Sequence, residues 1–293
     1  MHLRDFGTTG LQVSALGYGA GHIGDPALSE AEVERLLGAV LDAGVTLIDT
    51  ARGYGLSEER VGRHLRHRRD AFVLSTKVGY GVEGFEDWTG PCVAAGIDLA
   101  LRLLQTDRID LAHLHSCDAA TLRRDDVLRA LEDAVQAGKV RVPAYSGDNH
   151  DLAAAIDTHR FGGVQASINV CDQHALIHHL HRAKEQGLGV IAKRPVANAP
   201  WRFEQRPVGH YGEPYWARWR AMGLDDLGVE PRELALRFVA WTWGVDSCIV
   251  GTTNIDHLRA NADVIDRGPL PDDVVSEVRR RFQEAEQGWV GLT

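Results

Sequence analysis

The segment RIDLAHLHSCDAATLRRDDVLRALEDAVQAGKVRVPAYS, residues 108–146, carries the pattern that decides the fold. Its apolar run from Ile109 to His115 is typical of a buried strand. Apolar residues then recur at helical spacing from Asp125 to Ala137, and Gly138 is the kind of residue that ends a helix. A second apolar run extends from Val140 to Ser146. A strand, a helix and another strand in direct succession predict one parallel β-α-β unit.

The same order of elements recurs along the chain and predicts an α/β fold. Each predicted strand is followed by a stretch with helical spacing. The predicted strands are Ala15 to Gly19, Val45 to Asp49, Phe72 to Thr76, Ile109 to His115, Val140 to Ser146, Val164 to Ile168, Gly189 to Ala192 and Ser247 to Val250. Eight such units in about 250 residues are the count of a closed (β/α)8 barrel, a TIM barrel. Because periodicity does not show closure, a doubly wound open sheet is the alternative.

Three segments lie outside the repeat. Leu3 to Phe6 and Leu11 to Val13 predict an N-terminal β-hairpin around a Gly-Thr-Thr-Gly turn. Pro271 to Glu286 predicts an extra C-terminal helix. Pro195 to Gly228 predicts a long irregular loop, and loops of that length are usually functional or mobile. With these additions, residues 1–293 are expected to form a single barrel domain.

Composition narrows the class of protein. Apolar residues make up 44% of the 293 positions and charged residues 25%, as in ordinary globular proteins. Acidic residues outnumber basic ones by 41 to 32, which disfavours a nucleic-acid partner. There is no apolar stretch of about 18 residues, and the first residues lack a signal-peptide core, so no membrane partner is expected. We expect a cytoplasmic protein, as a monomer or small homo-oligomer.

No metal site is predicted. No Cys-x-x-Cys pair occurs, so we expect reduced, buried thiols at the four cysteines, Cys92, Cys117, Cys171 and Cys248. A helix is expected from Ala175 to Gln186, and four histidines cluster on it or at its start: His174, His178, His179 and His181. His174 and His178 have the spacing of a metal pair. No third ligand is evident, so a solvent-facing histidine cluster is favoured.

Polar side chains follow three neighbouring strands at the end where barrel enzymes carry their chemistry. Asp49 ends the second strand, Tyr54 lies in the next loop, Lys77 follows the third strand and His115 ends the fourth. Each has an ordinary structural explanation alone, but the four together favour a site. The set suits proton transfer to a carbonyl. The ammonium of Lys77, held by Asp49, would stabilise the phenolate of Tyr54, and His115 would orient a substrate oxygen.

The sequence resembles the aldo-keto reductase family over nearly its whole length. Residues 48–58 resemble its signature of an Asp, a Tyr five positions later and then Gly-x-Ser-Glu. Similar segments follow in the family's order: Ser75-Thr76-Lys77 at the lysine strand, Asp107 to His115 at the histidine strand, Gly138 to Arg141 with Ser146 at the fifth strand, and Gly251 to Asn254 with His257, Leu258 and Asn261 at the adenosine end.

The resemblance implies a barrel that binds a nicotinamide cofactor without a Rossmann domain, and no Gly-x-Gly-x-x-Gly fingerprint occurs. It implies NAD(P)H-dependent reduction of an aldehyde or ketone, a small-molecule carbonyl substrate, to an alcohol. The cofactor would give hydride and Tyr54 the proton. Lys77 and Asp49 would tune Tyr54, and His115 would orient the carbonyl.

The resemblance also assigns cofactor-binding residues. Ser146 and Gln165 correspond to the carboxamide contacts and Asn261 to the adenine contact. Gly251 and Thr252 correspond to the turn at the adenosine phosphate.

Three features depart from the family pattern. Gly147 stands where the family often has Asn after the fifth-strand Ser, so one carboxamide contact would be lost or supplied by Asp148 or Asn149. Lys193 and Arg194 stand where an aromatic side chain often stacks on the nicotinamide. Thr253 stands where an Arg often clamps the 2′-phosphate, although Thr252, Thr253 and Arg259 could hold a phosphate at a helix N-terminus. NADP(H) is the expected cofactor and NAD(H) the alternative.

Two other functions stay open. One is a non-catalytic sensor or regulatory subunit that binds nicotinamide nucleotide on the same barrel. The other is a sugar isomerase or aldolase in which Lys77 forms a Schiff base. The segments that would select a substrate carry no recognisable motif.

Overall fold

The computed structural model describes residues 1–292 and contains ten strands, numbered in chain order. They are β1 Leu3–Asp5, β2 Gln12–Ser14, β3 Leu16–Gly19, β4 Leu47–Asp49, β5 Val73–Val78, β6 Ile109–His115, β7 Val140–Ser146, β8 Gly163–Ser167, β9 Gly189–Lys193 and β10 Ser247–Val250. Strands β3 to β10 are parallel and close into a barrel, with β10 beside β3. The (β/α)8 prediction is confirmed, and the open sheet is wrong.

Helices surround the barrel. They are α1 Glu30–Asp42, α2 Ser57–Leu65, α3 Gly90–Leu103, α4 Ala119–Leu122, α5 Asp125–Gln136, α6 Asn149–Asp157, α7 His174–His178, α8 Leu180–Glu185, α9 Glu213–Met222, α10 Pro231–Ala240, α11 Ile255–Asp266 and α12 Asp272–Ala285. In α5 the buried residues Val127, Leu128 and Leu131 share one face, as their spacing predicts. No helix within residues 1–292 is long and apolar enough to cross a membrane.

Two predicted elements are wrong. The stretch from Pro195 to Gly228 is not irregular throughout, because it contains α9, which ends where Gly223 takes a left-handed φ of 59°. The helix expected from Ala175 to Gln186 is broken at His179, whose φ of −125° is not helical. The break leaves the His179 ring 8% exposed, so the cluster is not wholly solvent-facing.

The N-terminal hairpin, β1 and β2, closes the amino-terminal end of the barrel. Phe6 in its turn is fully buried and packs against the chain at Gly163 and Gly189. A Cβ atom on Gly189 would lie 2.3 Å from the Phe6 ring, so only a glycine at position 189 leaves room for that ring. Leu11 and Val13 join Phe6 in an apolar cluster with the strand residues Leu47, Val73, Leu111, Val142 and Ile191.

Replacing Phe6 by Ala should lower the free energy of unfolding by about 3–5 kcal/mol, because it opens a cavity under the barrel. Urea denaturation measures this loss. Phe85→Ala is the matched control: Phe85 is 45% exposed, so its replacement should change stability by at most about 0.5 kcal/mol. Equal losses in the two variants would show that Phe6 does not seal the barrel.

Candidate active site

Strand register brings the predicted catalytic side chains together at the carboxyl ends of β4, β5 and β6. Asp49 ends β4 beside Ser75 of β5. Lys77 lies within β5, which runs two residues further than predicted. His115 ends β6, and Tyr54 lies in the loop between β4 and α2.

Lys77 and Asp49 form a buried ion pair. The ammonium Nζ lies 2.6 Å from Asp49 Oδ2, and each residue is 1% exposed. Nζ also donates to the carbonyl oxygen of Thr50 at 2.8 Å. Asp49 Oδ1 accepts from Ser75 Oγ at 2.7 Å and from Gln165 Nε2 at 3.1 Å. Both oxygens of this buried carboxylate therefore have hydrogen-bond partners.

Charge, rather than burial, sets the ionisation of this pair. Burial alone would raise the pKa of Asp49, but the attraction of Lys77 and His113 holds it below its usual value. Burial alone would lower the pKa of Lys77, but Asp49 and Tyr54 hold it above its usual value. Lys77 is thus a charged ammonium and Asp49 a carboxylate at neutral pH.

Tyr54 lies between this ammonium and an imidazole. Lys77 Nζ is 5.1 Å from the centroid of the Tyr54 ring. The ring meets His115 edge to face, with centroids 5.9 Å apart. Burial, helped by the charge of Lys77, lowers the pKa of His115 to about 3, so its imidazole is neutral at neutral pH. The phenol therefore has a permanent cation on one side and a neutral ring on the other.

Two residues of this centre were missed in the sequence. Tyr80 Oη lies 2.9 Å from Nδ1 of His115, and the two rings stack. Its position between Gly79 and Gly81, just after the lysine strand, was the available signal. His113 lies inside the barrel with Nε2 3.0 Å from Ser75 Oγ. Alternation along β6 places His113 and His115 on the same face, which was the signal for that residue.

A cavity of about 880 Å³ connects this centre with the predicted cofactor residues. Every predicted site residue except Thr253 lines it: Asp49, Tyr54, Lys77, His115, Ser146, Gln165, Lys193, Arg194, Gly251, Thr252 and Asn261. Thr253 is exposed and lies outside the lining. Lining residues that the sequence did not assign to the site include His22, Arg202 and Arg232.

The cavity wall fits a nicotinamide nucleotide. Ser146 Oγ donates to Gln165 Oε1 at 3.0 Å, so the two expected carboxamide contacts are neighbours. Asn261 Oδ1 and Arg232 Nε are buried atoms with no hydrogen-bond partner in the described chain, although Arg232 Nε lies 3.8 Å from Glu230 Oε2. An amide oxygen can accept from an adenine amino group, and a guanidinium can donate to a phosphate.

Charged residues fill the place of the missing stacking aromatic. Lys193 Nζ lies 2.9 Å from Asp148 Oδ2. Burial lowers the pKa of Lys193, and Asp148 opposes that effect. Arg194 Nη1 donates to Ser167 Oγ at 2.8 Å and to the carbonyl oxygen of Leu292. Within residues 1–292 no group of three His, Cys, Asp or Glu side chains is placed to bind a metal ion.

A closed barrel with a buried Lys–Asp pair beside a tyrosine and a histidine defines a class of oxidoreductase, and sequence comparison identifies it. The model of the Aldo/keto reductase family matches residues 15–281, and the chain belongs to this family.

Individual relatives are distant but cover most of the chain. L-galactose dehydrogenase from Arabidopsis thaliana is 27% identical over 282 residues, which cover 90% of this chain and 88% of that protein. A probable voltage-gated potassium channel subunit beta from the same plant is 25% identical over 320 residues, covering 94% of each. The holo form of the aldo-keto reductase AKR11C1 from Bacillus halodurans superposes with a TM-score of 0.83 at 26% identity, covering 96% of each chain.

Replacing Lys77 by Met leaves the Asp49 carboxylate buried without its counter-ion, so the free energy of unfolding should fall by about 3–5 kcal/mol. Asp49→Asn should also be destabilising, because it leaves the Lys77 ammonium buried without its counter-ion. The double variant should recover part of the loss because both charges are gone. Chemical denaturation at neutral pH measures this cycle. If the stability loss of the double variant equalled the sum of the two single losses, Lys77 and Asp49 would not be coupled.

Acid should destabilise the fold through His113. Burial lowers the pKa of its imidazole from 6.5 to about 4. Between these values the unfolded chain binds a proton that the folded chain does not. The free energy of unfolding therefore decreases as the pH decreases, by up to about 1.4 kcal/mol per pH unit.

Denaturation curves between about pH 7 and about pH 5 test this linkage. The dependence should be shallower in His113→Gln than in the unmodified protein. His150→Gln, at an exposed position, should keep the original dependence. The same slope in all three proteins would exclude His113 as the cause.

Proposed function

We propose that the chain is an NADP(H)-dependent oxidoreductase that reduces an aldehyde or ketone to an alcohol, with Tyr54 as the proton donor. The observation that carries this proposal is the buried Lys77–Asp49 pair beside Tyr54, at 2.6 Å from Nζ to Oδ2. The bound cofactor would supply or accept a hydride. Proton transfer and orientation of the substrate would be done by side chains that line the same cavity.

Lys77 acts on the phenol through charge. As an alkoxide-like oxygen develops on the substrate, Tyr54 gives up its proton and becomes negative, and the fixed ammonium stabilises that charge. Asp49 keeps the ammonium in place and charged. In the reverse direction the phenolate would take the proton back, so the same groups serve alcohol oxidation. His115, neutral and on the cavity wall, would hold the carbonyl oxygen by a hydrogen bond.

The cofactor would lie along the cavity from Lys77 to α11. We assign Ser146 and Gln165 to the carboxamide, Asn261 to the adenine and Gly251 with Thr252 to the adenosine phosphate. The guanidinium of Arg232 on the cavity wall favours NADP(H) over NAD(H), since a 2′-phosphate needs positive partners. Thr253, on the surface beside this end, stays a prediction.

The substrate class follows from the relatives and the cavity. L-galactose dehydrogenase is named for a sugar, and the wall offers several hydrogen-bonding groups to hydroxyls: His22, Arg202, His210 and Tyr211. Aldoses, L-galactose included, are therefore the first compounds to test. We further propose that residues 1–293 act as one domain, as a monomer or small homo-oligomer in the cytoplasm, where the four free thiols would persist.

Replacing Tyr54 by Phe removes only the acidic hydroxyl, so kcat for NADPH-dependent reduction should fall by about 100-fold or more. The cofactor should still bind, as shown by quenching of protein fluorescence. Tyr145→Phe is the matched control, since it removes a buried hydroxyl that bonds to the Cys117 carbonyl oxygen away from the cavity. A Tyr54→Phe variant that turns over as fast as the unmodified protein would remove Tyr54 from this role.

The second candidate is a regulatory subunit that binds the nucleotide without turnover. It is favoured by the similarity to a probable potassium channel subunit over 94% of both chains. Tight cofactor binding with no turnover on any aldehyde, ketone or aldose would support it. A Schiff-base role for Lys77 is disfavoured because its ammonium is held by Asp49 and its pKa is raised, whereas an amine nucleophile must be neutral.

A further inference from the structure

Tyr80 is held over the mouth of the barrel by the loop that follows β5. Gly79 and Gly81 on either side of it have φ values of 126° and 67°, which let the chain turn back sharply. Arg52 donates to the carbonyl oxygen of Gly81 through Nη2 at 2.8 Å. The backbone N–H of Trp88 donates to the carbonyl oxygen of Gly79 at 2.7 Å. The position of Tyr80 is therefore fixed from both sides.

The only polar contact of the Tyr80 hydroxyl within residues 1–292 is with His115. Oη lies 2.9 Å from Nδ1, and the rings stack with centroids 5.5 Å apart and planes 30° apart. Gly53 lies against the same hydroxyl, since a Cβ atom there would be 2.7 Å from Oη. The distance and the close packing identify the contact between Tyr80 Oη and His115 Nδ1 as a hydrogen bond.

The tautomer of His115 decides which group donates in this hydrogen bond. A neutral imidazole has one N–H, and its two nitrogens play opposite roles. Burial raises the pKa of Tyr80, so the phenol keeps its hydrogen. If Tyr80 accepted from Nδ1–H, its own hydrogen would need another acceptor, and Nε2 would be left without a hydrogen. If Tyr80 donates to Nδ1, the phenol hydrogen has an acceptor and the imidazole hydrogen is on Nε2, on a ring that lines the cavity.

We propose that Tyr80 is a positioning residue that donates its hydroxyl hydrogen to Nδ1 of His115 and so places the imidazole hydrogen on Nε2. This inference rests on the proposed carbonyl chemistry for its purpose, although the tautomer itself does not. Nε2 has no partner in the described chain, and the ring lines the cavity. Nε2–H can donate to a carbonyl oxygen, whereas a bare Nε2 lone pair would repel it.

Nitrogen-15 NMR of histidine-labelled protein reads the tautomer directly. The His115 signals are assigned by their loss in His115→Gln. In the unmodified protein Nε2 should be the protonated nitrogen and Nδ1 the bare one. In Tyr80→Phe, which keeps the stacked ring but loses the donor, the Nδ1-protonated form should appear. A hydrogen on Nδ1 in the unmodified protein, or an unchanged tautomer in Tyr80→Phe, would overturn the proposal.

Kinetics supply a second readout. One lost orienting hydrogen bond should lower kcat in Tyr80→Phe by about tenfold. The same substitution in the His115→Gln background should have no further effect, because Tyr80 acts through His115. Equal losses in both backgrounds would mean that Tyr80 supports the loop instead, which would overturn the proposal. Tyr145→Phe again controls for loss of a tyrosine hydroxyl. The NMR result is independent of turnover, so it stands apart from a failure of the proposed reaction.

Discussion

The buried ion pair between Lys77 and Asp49 is the interaction on which the rest of the site depends. Removing two charges from water costs several kcal/mol per ion, and their attraction repays this only when the remaining hydrogen bonds are also made. Here Ser75 of β5, beside Asp49, and Gln165 of β8, from the opposite wall of the barrel, complete the carboxylate shell. Asp49 thus links facing walls of the barrel as well as holding the ammonium, so the charge and the shape of the site are inseparable.

Much of the barrel and most of the site could be predicted from the sequence. The eight strands are short, apolar and followed by helical stretches, which leaves few alternative folds. Asp49 and His115 were recognisable because a polar residue ends an otherwise apolar strand. Their mutual contacts then follow from parallel register, since neighbouring strands end at the same edge.

Other features depend on tertiary contacts that periodicity does not encode. Helix α9 buries Arg218, whose guanidinium donates to the carbonyl oxygens of Cys171 and Val290, so its inward face does not look apolar. The loop after β9 has left-handed φ values at Arg194, Ala197, Asn198 and Ala199, a conformation that side-chain-bearing residues rarely adopt. The contacts of Arg194 with Ser167 and Leu292 help hold it. Tyr80 was missed for the same reason: the flanking glycines were visible in the sequence, but its contact with His115 depends on where its loop turns.

The hairpin at the amino-terminal end of the barrel limits how small molecules can reach the cavity. With Phe6, Leu11 and Val13 filling one end, the cavity that contains Lys77 opens at the other. Any molecule that reaches Tyr54 must therefore enter and leave through that open end, so a cofactor and a substrate would use the same opening.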